Sequence, residues 1–421
     1  MNANREQSKV IIIGASLGGL TLARSLARKL ISFEIYDAHP ANISRDSGWA
    51  LTLHTALPHL RALFSHTNAN EILDKISVCA GSGQPDQFVF YDGRTADLLS
   101  AGSADTLDFV RANRGRLLDW LAEGVNVKWG CTYAGHEVHN GAFTVYFTDG
   151  SSTQGHILVG CDGIDSRVRT MVYRNLSAPF APQPQLHNLP IGAIGGSVML
   201  TPVQYARQSL LARSLYIAHG DAGDPNYPNL RLLVGLNSYA PDLSWAEYHW
   251  LLCYRIPASS SPGGTWMNGA TSERQLAWAR GAVRGMHYDL CEVIFRTRPE
   301  RMFTPFVIRD RVPEVLEGAG PITLIGDAAH PMSFFNGDGG NAAILDAVCL
   351  AERLSLARFS PAGPPAWAAS SAGSVAGGAA ASGWNEYATV SALRAFEGDM
   401  LARVGPMVKE AREATCRAGS Q

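Results

Sequence analysis

The chain has 421 residues, 46% hydrophobic and 17% charged, and its 35 basic against 37 acidic side chains leave a formal net charge of −2. That length exceeds what one compact core needs, and the composition is that of a folded globular protein rather than a disordered one. No basic run with interleaved aromatics occurs, so there is no footing for nucleic acid.

The opening MNANREQSK leads into Val10–Ile13, VIII, a run composed like a buried parallel strand. It is too short for a signal segment, and no later stretch is apolar enough for a membrane span. The expectation is a cytoplasmic protein. Next comes GASLGG, from Gly14 to Gly19, and a segment with Leu17, Leu20, Ala23, Leu26 and Leu30 at helical spacing. Ser32–Tyr36 reads as a second strand and ends at Asp37, 23 residues after Gly14. Strand, glycine turn, helix, strand and acid make a dinucleotide site. Gly14 lets the chain turn tightly, Gly18 and Gly19 permit close packing, and the helix start offers unpaired N–H groups to a pyrophosphate. Asp37 can accept bonds from a ribose diol. The middle glycine of the usual fingerprint is replaced by Ser16. Arg45 is a candidate for the adenosine–pyrophosphate side, the alternative being an ordinary surface arginine.

Further along, RGRLLDWL from Arg114 reads as a short amphipathic helix, with Arg111 and Arg116 as neighbouring cations. YFTDGSS, from Tyr146 to Ser152, reads as a hairpin turning at Asp149–Gly150. LVGCDGIDSRVR, Leu158 to Arg169, is a strand followed by an Asp162–Gly163 turn. Between Met171 and Cys291 the stretches SLYIAH, LRLLVGL and HWLLCYRI suggest a sheet. Ile322–Gly326 ends a hydrophobic strand and puts Asp327 at a sheet's carboxyl edge, where ligands of open α/β folds bind. Gly337, Gly339 and Gly340 form an anion-accepting turn before a helix. From 361 to 384, twenty-one of twenty-four residues are Ala, Gly, Ser or Pro, which reads as a mobile loop. Helical character resumes at Leu393. The seven cysteines form no CxxC or Cys/His cluster, so no metal site is expected.

GASLGG, LVGCDGIDSRVR and TLIGDAAHPMSFFNGDGGNAAILDA (Thr323–Ala347) resemble, in order and spacing, the three FAD motifs of the class A flavin monooxygenases typified by para-hydroxybenzoate hydroxylase. SGWALTLHTALPHLRALF, Ser47 to Phe64, is similar to fungal secondary-metabolite members. The resemblance implies an α/β fold: a Rossmann-like FAD-binding domain with an inserted β-sheet substrate domain and C-terminal helices. It divides the chain into FAD-binding segments at 1–75, 101–170 and 292–421 and substrate segments at 76–100 and 171–291. It implies that Arg114 reaches FAD, that Asp162 lies near the pyrophosphate, and that Asp327 bonds the ribityl–pyrophosphate region. It also implies that the loop Gly337–Asn341 meets the flavin's pyrimidine edge. Phe334 stands where members commonly carry proline, and Asp338 where glutamine or glutamate is frequent. Phe334, His54, Tyr216 and Tyr254 are the pocket candidates, with His219 and Asn237 beside them.

The implied activity is an FAD-dependent monooxygenase. NADH or NADPH would reduce FAD, and O₂ would give a flavin C4a-hydroperoxide that hydroxylates or epoxidises an aromatic or terpenoid-like small molecule in secondary metabolism. Two other readings stay open at this stage. One is an FAD-dependent dehydrogenase, oxidative cyclase or reductase without oxygen transfer; the other is a non-enzymatic flavin-fold binding protein. Substrate, nicotinamide preference and oligomeric state are not encoded in these motifs.

Overall fold

The computed structural model describes residues 9–40, 49–64, 69–104, 107–139, 142–176, 186–220, 229–256, 266–358 and 386–417. Arg45 and the Ala/Gly/Ser/Pro-rich stretch 361–384 lie outside them.

The aliphatic run Val10–Ile13 is the middle strand of a five-stranded parallel sheet and is buried on both faces. Around it the order is Ile322–Leu324, Ile157–Gly160, Val10–Ile13, Phe33–Asp37 and Val127–Trp129. Every neighbouring pair is parallel. Strands that run the same way deliver their C-terminal ends to one edge. Gly14, Asp37, Cys161 and Ile325 therefore emerge on the same side, although far apart in sequence. Helix Leu17–Arg28 turns Leu20, Leu22, Ala23 and Leu26 into the core. It packs on helix Asp338–Arg358 at Gly18, where an added Cβ would stand 3.3 Å from the Ala343 carbonyl oxygen.

The hairpin read from YFTDGSS is present: Ala142–Phe147 pairs antiparallel with Ser152–Gly155, and Gly150 takes φ +86° in the turn. Tyr133–His139 adds a third strand.

A second, seven-stranded sheet has the order Phe306–Asp310, His187–Leu200, Ala246–Arg255, Leu230–Tyr239, Leu215–Gly220, Gln87–Asp92, Leu98–Ser103. Four of its five inner strands come from the β-rich stretch after Met171, and the fifth is Gln87–Asp92. One face packs on helices Ser272–Ala282 and Tyr288–Arg296, with Tyr216, Tyr248, Trp250, Leu252 and Tyr254 pointing that way. The other face looks toward the parallel-sheet unit.

The closing helix Glu386–Arg417 ties the two sheets together. At one end Arg394 donates to the Gly320 and Ile322 carbonyls, at 2.9 and 2.8 Å. At the other, Arg412 pairs with the fully buried Asp310 of the seven-stranded sheet, at 2.7 Å.

Candidate active site

Gly14 ends the central strand with φ +108°, and a Cβ there would meet the Cys161 carbonyl oxygen at 2.4 Å. Only glycine satisfies both the turn and the approach. Gly19, one turn into the helix, is equally constrained: its Cβ would lie 1.9 Å from the Gly14 oxygen. Ser16 occupies the N-cap position, but its hydroxyl donates to the Cys161 carbonyl at 3.1 Å instead of capping. The first-turn amides of helix Leu17–Arg28 are thus left without a side-chain cap. Ser16, Leu17 and Gly18 open on a cavity of about 1110 Å³.

Asp37 is bonded inward. Its Oδ2 accepts from the Ala15 N–H at 2.6 Å and its Oδ1 from the His39 N–H at 2.8 Å, so it braces the glycine turn and does not line the cavity. Asp162 is also a bracing residue: Ser166 Oγ and the N–H groups of Arg167 and Val168 donate to it at the start of helix Arg167–Asn175. Its neighbours Cys161 and Gly163, the latter at φ +80°, line the cavity in its place. Buried Arg169 then fastens this turn to the next by donating to the Ala328 carbonyl at 2.8 Å.

Asp327 follows the strand Ile322–Leu324 in a single helical turn, Gly326–Ala328. Its carboxylate is open to the cavity and otherwise ringed by protein. That desolvation raises its pKa, against the pull of His330, Arg114 and Arg169. Behind it, Asp346 accepts from the Gly326 N–H at 2.9 Å, from His330 at 2.5 Å and from Arg403 at 2.7 Å.

The loop before helix Asp338–Arg358 turns at Gly337, φ +72°. Gly337, Gly339 and Gly340 line the cavity, and a Cβ on Gly340 would press Leu51 at 3.0 Å. A second helix start therefore faces the same space as the first. Asn341 does not offer its side chain to that space. It is fully buried: Oδ1 accepts from the His54 and Ala56 N–H groups, and Nδ2 donates to the Thr52 and Gly337 carbonyls. It locks the glycine turn to strand Leu51–Leu53. Arg114, at the start of helix Arg114–Ala122, lines the cavity on the Asp327 side.

Of the pocket candidates, His54 and Phe334 line the cavity, and Tyr216 and Tyr254 do not. Tyr216 donates to Gln208 Oε1 and the Leu290 carbonyl, both at 2.9 Å. Tyr254 donates to Met267 Sδ at 3.4 Å and meets Trp278 edge-on. Both belong to the helix-covered face. His219 stacks on Phe90, and Asn237 accepts from Asn113. The cavity is instead walled by the alternate register row, in which Phe90, Ile217, Leu233 and Leu251 lie side by side. Phe306 and Phe334 meet edge-on at its border. Trp49, Phe88 and Arg111 also line it. Counting two residues from Tyr216 picks out neither partner; only the opposite parity finds this row.

Two helix starts, positive-φ glycines and a cation converge at one end of the cavity, and mostly apolar side chains wall the other. The first end suits an extended anionic dinucleotide. The volume lies just above the upper end of the roughly 300–1000 Å³ usual for ligand pockets, as an extended ligand requires.

The FAD binding domain family matches residues 265–362. The chain is 30% identical over 358 residues to the FAD-dependent monooxygenase thnD of Trichoderma harzianum, covering 82% of each. Its fold matches Klebsiella pneumoniae HpxO, solved with FAD and uric acid, with a TM-score of 0.69 and 19% identity over 99% of this chain and 90% of that one. It also matches 2,6-dihydroxypyridine-3-hydroxylase from Arthrobacter nicotinovorans, with a TM-score of 0.72 and 16% identity over 98% and 93% of the two chains.

Proposed function

The chain belongs to the FAD-dependent monooxygenases, with FAD as its cofactor, and we propose that it uses NADH or NADPH and O₂ to hydroxylate or epoxidise an aromatic or terpenoid-like molecule of secondary metabolism. The observation that carries this reading is the single cavity running from the glycine turns to the apolar sheet. FAD, when bound, supplies the electron transfer from nicotinamide and the activation of O₂.

The protein's share is binding, orientation and exclusion of water. In this proposal the helix starts at Ser16–Gly18 and Gly337–Gly340 hold the anionic parts of the cofactor through backbone N–H groups. Arg114 and Asp327 bind between them, a guanidinium to oxygen acceptors and a carboxylate to hydroxyl donors. Gly14, Gly19, Asp37, Asp162 and Asn341 act one layer behind, holding those loops in place. The substrate lies between the cofactor's ring and the row Phe90, Ile217, Leu233 and Leu251. These apolar walls keep water from the reacting atoms and fix the substrate's plane.

One observation favours a second reading. Phe334 and Phe335 pack against each other at 4.9 Å on the lining, and paired aromatic rings at that place suit an FAD-dependent dehydrogenase, oxidative cyclase or reductase. The test begins with purified protein loaded with FAD. NADH or NADPH is added without oxygen, with and without candidate substrates, and air is then admitted. A yellow flavin spectrum, bleaching accelerated by a substrate, and an oxygenated product are expected. Protein that takes up no flavin from added FAD would overturn the proposal. A desaturated or cyclised product without new oxygen would favour the second reading.

A further inference from the structure

Arg111 lies in a short ribbon where Leu51–Leu53 pairs with Val110–Ala112, directly opposite Thr52. Its side chain reaches the seven-stranded sheet at Gly235, where an added Cβ would stand 3.3 Å from Nη2. Glycine at that point leaves room for the guanidinium. In register, Gly235 sits between Leu215 and His249. Arg111 therefore enters the cavity from the substrate-sheet side, whereas Arg114 stands toward Asp327.

Arg111 is only 7% exposed and carries five donors. Nη1 donates to Thr52 Oγ1 at 3.2 Å, and Nε has no partner among the described residues. No described carboxylate lies within ion-pairing distance of it. Asp86, whose charge it feels, accepts instead from the Arg111 backbone N–H, Ser77 and Ser214. Asp108, on the cavity lining, pairs with Arg61 at 2.8 Å. His249 brings no charge: burial, with Arg111 nearby and Glu247 opposing, lowers its pKa to about 4. Burial brings Arg111 itself down only to about 10, so it stays a cation at neutral pH.

A cation removed from water and left without a counter-charge is costly, and an incoming anion relieves that cost. Apart from Thr52 and the Arg61-paired Asp108, the lining beside Arg111 is largely apolar, with Phe88, Leu215, Leu233 and Leu251. We infer that Arg111 is a specificity-determining residue that receives an oxyanion of the substrate, a carboxylate or an ionised phenol or enol, carried on a flat apolar skeleton. This rests on the proposed oxidation of a substrate in the same cavity.

The test compares FAD-loaded wild type with R111Q and R111K by calorimetry and by perturbation of the flavin spectrum. One arm pairs 2-naphthoate with neutral 2-naphthamide. The other pairs 4-nitro-1-naphthol, above its pKa, with its methyl ether. In at least one arm, wild type is expected to favour the anion by about tenfold or more. That ratio should fall near unity in R111Q and survive in part in R111K, with FAD retained in both variants. Wild type without preference in either arm, or R111Q that keeps the preference, would overturn the inference. Loss of FAD in both variants would reassign the guanidinium to the cofactor and overturn it equally. An anion preference in protein that transfers no oxygen would sink the monooxygenase reading alone.

Discussion

At Gly14 the positive φ and the 2.4 Å approach to the Cys161 oxygen act together, so Gly14→Ala meets strain and overlap at once. The variant is expected to lose roughly 1–3 kcal/mol of stability and most of its FAD, read by urea unfolding and flavin absorbance. Full FAD retention would mean the turn tolerates a side chain and is not the cradle. His330 offers a second test. It and Asp346 are both fully buried, which opposes charging of either, yet their contact outweighs burial. The pKa of His330 is raised and that of Asp346 lowered, the latter helped by Arg403. A raised histidine pKa adds stability that is complete below the unfolded value of about 6.5 and is lost as pH rises through the folded value. The stability gap between wild type and His330→Gln is therefore expected to be largest below about pH 6.5 and to shrink as the pH rises above it. A constant gap would mean that the buried histidine is neutral.

The strands of the seven-stranded sheet were legible as β from their composition, but their facing was not. Leu230–Tyr239 and Ala246–Arg255 are buried on both sides over most of their length, so hydrophobic alternation is erased and polarity cannot reveal the cavity side. Tyr216, chosen for its polar tip, spends that tip on Gln208 and the Leu290 carbonyl. Tyr216→Phe should therefore cost about 1 kcal/mol of stability and leave substrate KM unchanged. Ile217→Ala, one residue on, should change KM severalfold with FAD affinity unaltered. A KM effect from Tyr216→Phe alone would reverse the assignment of faces. The helix starts were easier to read, because glycines at fixed offsets mark them whatever packs nearby. What Asn341 does was hidden, since its four partners come from two segments: residues 52–56, nearly three hundred positions upstream, and Gly337.

At the scale of the whole molecule, the parallel sheet sets the loops of three distant motifs on one edge, and the second sheet closes over them. Arg394 and Arg412 hold the closing helix across both. Motif spacing made the parallel-sheet half readable, because each glycine loop follows its own strand. The inserted substrate sheet was implied by the family resemblance, but which side chains face the cavity from it, and the placing of Arg111 beside it, were not readable. The measurement that bears most directly on the function is a turnover under isotopically labelled O₂, with the product analysed by mass spectrometry. One labelled oxygen atom in the product, and none from labelled water, is expected. A product that carries no label, formed at a competent rate from FAD-loaded protein, would contradict oxygen transfer.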